Sequence, residues 1–129
     1  MNDEQAIREL VATWHKATAK GDFAAILKLM AEDVVFLVAG QPPMRGREAF
    51  ASSFKEVLKL GRLETSGDIQ EIQVNEQFAY CWTHLSITMI PTPDHRTIVR
   101  ENTLTIFRKQ ADVAWVLFRD ANLLSEKPE

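Results

Sequence analysis

His84 and Asp120 are the residues whose types and surroundings could support proton transfer. His84 sits in Tyr80-Cys81-Trp82-Thr83-His84-Leu85-Ser86. In a strand, period two groups it with Tyr80, Trp82 and Ser86, against Cys81, Thr83, Leu85 and Ile87. An aromatic wall with a few polar groups is what an organic-ligand pocket needs. A histidine on that wall can act as acid or base near neutral pH. The competing reading satisfies His84 within the sheet or at a dimer face. Asp120 falls on the strand face of Val116, Phe118 and Asn122. Beside Phe118 its carboxyl would be desolvated and its pKa raised. An ion pair with Arg119 or Arg100 would instead hold it ionised and structural.

Other chemistries find less support. His15, His84 and His95 show no ligand spacing and cysteine occurs once, so no metal site is expected. His95 follows Pro-Asp in a turn and is expected in solvent. No G-x-G-x-x-G, P-loop or G-x-S-x-G motif is present, so no cofactor is expected. Cys81, in a strand pattern, reads as a small buried hydrophobe. Arg100 and Glu101 are adjacent and face opposite sides of a strand. One of them therefore meets a partner strand or a second subunit.

A chain of 129 residues suits one domain, here 1–124 with a frayed tail over 125–129. Fifteen Lys and Arg against 18 Asp and Glu give a formal charge of -3. The charges are interspersed without a basic stripe, which disfavours nucleic acid and anionic membranes as partners. The opening MNDEQAIREL has neither the basic nor the apolar region of a signal peptide. With a single cysteine, this favours a cytoplasmic location. The longest apolar run, Val34 to Gly40, is strand-sized and far too short to span a bilayer.

The elements that must position these residues are readable from periodicity. Ile7, Leu10, Val11 and Trp14 share one helix face, with Asn2 or Asp3 as cap and Gly21 as left-handed stop. Asp22 caps a second helix carrying Phe23, Ile26, Leu27 and Met30. Val34 to Ala39 reads as a strand buried on both faces. Met44-Arg45-Gly46 adds a short strand or a turn. Arg47 to Leu60 is a third helix, with Phe50, Phe54, Val57 and Leu58 on one face. Long strands follow over 63–74, 78–90, 96–108 and 113–124, with Gly67 as a bulge candidate. Three helices and then an antiparallel meander make an α+β domain. Strands of this length must twist and coil. Helices laid across a coiled sheet of five to six strands enclose a cone with an interior.

This order of elements resembles the nuclear-transport-factor-2-like (NTF2-like) superfamily, the cystatin-like α+β roll. Gly21-Asp22-Phe23 with Leu29-Met30-Ala31-Glu32-Asp33-Val34-Val35-Phe36 is similar to its "G-D … L … A-D-D-V-x-F" pattern. Pro43 to Phe50 resembles its "P-x-x-G-R-E-A-I" start of the third helix. Trp115 to Asn122 resembles the terminal "W-x-I-x-R-D-x-x-N" strand of the SnoaL-like proteins of SgcJ/EcaC type. The resemblance spans nearly the whole chain. It implies the fold strongly and the chemistry weakly, because the superfamily holds isomerases, cyclases, dehydratases and proteins without catalysis. Similarity to ketosteroid isomerases would put Val38 at the catalytic base, and valine moves no proton. The first-helix tyrosine of those enzymes is matched by Trp14, a weaker donor. SnoaL-like cyclases use a cavity aspartate and histidine, which the resemblance loosely assigns to Asp120 and His84.

Two functions follow as expectations. One is a cofactor-free acid/base enzyme, of isomerase, cyclase or dehydratase type, acting on a hydrophobic oxygenated substrate. Asp120 would be its base and His84 its polarising group. Trp14, Val38, Phe54, Leu58, Tyr80, Trp82 and Phe118 would form the walls. The other is a non-catalytic ligand-binding or accessory module using the same cavity. Either is compatible with a homodimer through the open sheet face, since the helices suffice to cover one face only.

Overall fold

Local signals start and stop the helices. In the computed structural model, which describes residues 2–92, 95–123 and 127–128, α1 spans Asp3–Lys20. The Asn2 side chain accepts the Gln5 N–H at 2.7 Å and caps it. Gly21, at φ 66°, ends it in the left-handed region that a Cβ disfavours. Asp22 accepts from the Ala25 N–H and starts α2, Phe23–Lys28. No described helix is long and apolar enough to cross a membrane.

Two strands then precede the third helix: β1 at Met30–Val38 and β2 at Met44–Arg45. The strand expected at Val34–Ala39 and the short one at Met44-Arg45 thus stand between the second and third helices, with β1 starting four residues earlier than expected. α3 covers Arg47–Leu60, and its first residue anchors it. The Arg47 guanidinium donates twice to the Met30 carbonyl, at 2.6 and 3.0 Å. The meander follows as β3 (Arg62–Asn75), β4 (Phe78–Thr92), β5 (His95–Lys109) and β6 (Trp115–Asn122). β7, Lys127–Pro128, pairs with β5 at Ile98 and Thr97, so this part of the expected tail is sheet. Residues 125, 126 and 129 lie outside the described ones.

The sheet order is β2-β1-β6-β5-β4-β3. All pairings are antiparallel except β1 with β6, which is parallel. The sheet is therefore mixed, with an α+β architecture. α1 lies against β3, and α3 against β1 and β2. Between helices and sheet sits the core of Ile7, Leu10, Ile26, Met30, Val34, Phe107 and Leu117. Each of these side chains adds roughly 1.5–3 kcal/mol of burial free energy.

Two register shifts decide which side chains face the helices. Ile106 pairs with Arg119 and Phe107 with Leu117, so Phe118 is an extra residue in β6. Ile69 pairs with Thr83 and Glu71 with Trp82, so Gln70 is an extra residue in β3. Each inserted residue reverses the parity beyond it. Trp115 and Leu117 face inward before the first shift, and Asp120 and Asn122 after it. Gly67 is not the bulge. A Cβ there would stand 2.8 Å from Thr83 Cγ2 and 3.3 Å from His15 Nε2. Its absence lets α1 seat His15 against the sheet.

Candidate functional site

The unfilled end of the core is a cavity of about 190 Å³. Its wall is aromatic. Trp14 meets Phe36 edge-on at 6.4 Å, Phe36 stacks on Phe50 at 4.8 Å, and Phe50 on Phe54 at 5.7 Å. Val11, Val38, Met44, Leu63, Leu85 and Ile87 complete the apolar lining. Against this wall β6, β5 and β4 set a polar edge of Asp120, Asn122, Thr105, Thr103 and Thr83. His15 and Thr18 border it from α1, and Thr65 from β3.

Register explains the edge. Thr105 is paired with Asp120, and Thr103 with both Asn122 and Thr83. The parallel partner strand brings Phe36 beside Asp120 and Val38 beside Asn122. The Thr105 hydroxyl donates to Asp120 Oδ1 at 2.5 Å. No described residue donates to the second carboxylate oxygen. Burial pushes the Asp120 pKa up to about 6, with the Thr105 hydrogen bond pulling the other way. Among the described lining residues Asp120 carries the only carboxylate, and none of them is Lys or Arg.

His15 is the site residue that periodicity could have found. Val11, His15 and Thr18 lie at i, i+4 and i+7, the spacing used to place Trp14 in the core. Its Nδ1 lies 2.8 Å from Thr65 Oγ1, while Nε2 is buried without a described partner. Burial lowers its pKa, so the ring stays neutral near pH 7. Asn122 Oδ1 is a second buried atom without a described partner.

Of the residues expected to line the cavity, Trp14, Val38, Phe54 and Asp120 do so. The others are corrected. His84, Tyr80 and Trp82 do share one face of β4, but that face points away from the helices. His84 is exposed there, and the Trp82 indole donates to Asn102 at 2.9 Å. The Tyr80 hydroxyl donates to Glu71 at 2.7 Å. The bulge turns Phe118 outward, where Arg108 and Arg119 lie 4.3 and 3.8 Å from its ring. Leu58 packs against the core rather than the cavity. His84 and Asp120 are therefore on opposite sides of the sheet. Nor does Arg119 pair with Asp120, since its guanidinium donates to the Asp33 and Phe118 carbonyls. His95 and Arg100 carry no described side chain. Cys81 is buried, and burial pushes its thiol pKa up.

Comparison with known proteins follows the same architecture. Residues 11–117 match the family described as a SnoaL-like domain. A conserved protein from Planctomyces limnophilus DSM 3776 is 35% identical, with a TM-score of 0.92 over 97% of this chain and 98% of that one. An NTF2-like protein with a cystatin-like fold from Novosphingobium aromaticivorans is 22% identical, with a TM-score of 0.75 over 95% and 81% of the two chains. The hexachlorocyclohexane dehydrochlorinase LinA-type3 from Novosphingobium barchaimii LL02 is 11% identical, with a TM-score of 0.82 over 98% and 89%. The last two likenesses concern the fold alone. No curated protein matches the chain.

Proposed function

The chain belongs to the SnoaL-like domain family, and on that premise we propose that its cavity binds a small hydrophobic, oxygenated molecule and moves protons on it without a cofactor. One observation carries this reading. A buried carboxylate, Asp120, stands at the edge of an aromatic cavity with one oxygen held by Thr105 and the other unclaimed by any described residue. Near pH 7 a carboxyl with a pKa of about 6 is mostly ionised and can accept a proton. It is also a stronger base than a solvated carboxylate, and its conjugate acid can return the proton. Asp120 takes a proton next to a substrate carbonyl, the carbonyl becomes an enol or enolate, and Asp120 redelivers the proton elsewhere. Neutral His15 and Asn122 orient the substrate, and Trp14, Phe36, Phe50 and Phe54 exclude water from it.

The experiment is solvent exchange. A small cyclic ketone such as 2-indanone is incubated with the protein in D2O near neutral pH. Loss of its α-proton signal is followed by NMR. Exchange above buffer that falls roughly 100-fold in Asp120→Asn supports the reading. Equal exchange by both proteins, or none above buffer, favours a ligand-binding module without catalysis.

The partner follows from the opposite sheet face. Leu37, Ala121, Leu104 and Trp82 form one row in direct register across β1, β6, β5 and β4. Leu37, Leu104 and Trp82 are 45%, 44% and 42% exposed. The row meets Glu71 on β3, where Asp68 and Glu64 also stand, in register with His84 and Thr88, while Arg108 and Arg119 stand on β5 and β6. A two-fold axis along the strands, placed between β5 and β4, would bring the acidic β3 of one copy over β6 of the other, which carries Arg119. We propose that a second copy of this chain covers the face as a homodimer.

A further inference from the structure

The cavity also constrains what can enter it, and this inference rests on the binding part of the reading above. Three observations bear on the ligand. The first is size: an apolar cavity of roughly 150 Å³ takes a benzene, and this one is about 190 Å³. It suits one substituted ring or a compact pair. The second is charge: among the described residues the lining holds a carboxylate and no Lys or Arg. An anionic ligand would meet Asp120 in a desolvated space where no described lining residue carries a positive charge to neutralise it. The third is hydrogen bonding: Asn122 Oδ1 is a buried acceptor without a described donor. It lies two residues from Asp120 on the same strand face, and the Asp120 carboxylate is itself an acceptor. A buried acceptor left unmade costs free energy, and a ligand that supplies the donor recovers it.

We infer that the cavity selects a neutral molecule of one or two rings that presents a hydroxyl group to the Asn122–Asp120 edge. The ring lies against Trp14, Phe36 and Phe50, and the hydroxyl donates to Asn122 Oδ1 or to the neighbouring carboxylate. Carboxylated analogues of the same shape are rejected.

The test uses three probes with one ring and one tail: 4-ethylphenol, 4-ethyltoluene and 4-ethylbenzoate. Their affinities for the whole chain are measured by ligand-observed NMR titration at pH 7.5. The phenol is expected to bind roughly tenfold tighter than the toluene, the size of one net hydrogen bond. The benzoate is expected to bind weakest. In Asn122→Leu the phenol's advantage should shrink while toluene binding persists. A benzoate that binds as well as the phenol overturns the inference, as does a toluene that matches the phenol on the wild-type protein. Failure of all three probes to bind overturns it too. The wild-type comparison does not depend on the variant folding. Because these are equilibrium affinities, hydroxyl selection without ketone exchange would leave this inference standing and sink only the catalytic reading.

Discussion

Thr105 donates its hydroxyl to the Asp120 carboxylate across the β5–β6 ladder, and both side chains are buried. The pair is in direct register, so the backbone holds the bond. It partly offsets what burial costs the carboxylate. Replacing Thr105 by Val keeps the shape and removes the donor. The Asp120 pKa should then rise above about 6, read from its carboxyl carbon by NMR titration. Above that pH the variant should lose about 1–3 kcal/mol of stability. A pKa that stays in place would mean that the hydroxyl does not hold the carboxylate in solution.

The burial of Asp120 also sets a pH dependence. Its folded pKa, about 6, stands above the ordinary 3.8. Between those values the folded state binds more protons than the unfolded state, so stability falls as pH rises. The loss begins near pH 4 and is complete a little above pH 6, reaching about 3 kcal/mol. Asp120→Asn, which stays uncharged and can still accept from Thr105, should therefore be more stable than wild type at pH 7.5. The difference should vanish below pH 4. Denaturant unfolding at several pH values measures it, and parallel curves for the two proteins would contradict the buried-carboxylate account.

Activity should run the other way. If ionised Asp120 is the base, ketone exchange rises with pH through about 6 and then levels. The variant that gains stability is thus the one that loses exchange. A pH–rate profile falling through pH 6 would point to a protonated group as the working one.

Gly67 sits under the imidazole of His15. In Gly67→Ala the new methyl would lie 2.8 Å from Thr83 Cγ2 and 3.3 Å from His15 Nε2. Either α1 or Thr83 must give way, at a cost of about 1–3 kcal/mol. Thr83→Ser removes the closer methyl and should restore part of the loss. Thermal unfolding of the single and double variants tests this, and an unchanged melting temperature in Gly67→Ala would rule out the close approach.

Trp82 stands at the β4 end of the exposed row on the outer face. A glutamate there places a charge in the proposed dimer contact, so Trp82→Glu should give a monomeric mass by sedimentation at micromolar concentration, where wild type is dimeric. A monomeric wild type would remove the second copy from this face.

Much of this architecture was legible in the chain. Asn2, Gly21 and Asp22 bounded the first two helices because capping is decided by the residue at one position. Arg47–Leu60 emerged with the expected limits because its apolar spacing has one period. The alternation along β4 was also readable, with Tyr80, Trp82 and His84 on one side and Cys81, Thr83 and Leu85 on the other. Alternation separates two faces without saying which one the helices cover. That was decided by packing. The smaller face admits α1 at Gly67 and Thr83, while Tyr80 and Trp82 find polar partners outside. In β6 the parity itself depended on Phe118, whose insertion is visible only in the pairing with β5. Periodicity puts His15 on the inner face of α1, but its partner Thr65, 50 positions away along the chain, is set by how α1 lies across β3. The sequence alone thus determined the elements, their order and their family, because those rest on local periodicity and short motifs. Trp14, Val38, Phe54 and Asp120 were legible as cavity residues, but tertiary structure alone decided that His84, Tyr80, Trp82 and Phe118 stay outside it, because register and layer contact are properties of paired strands and not of any one of them.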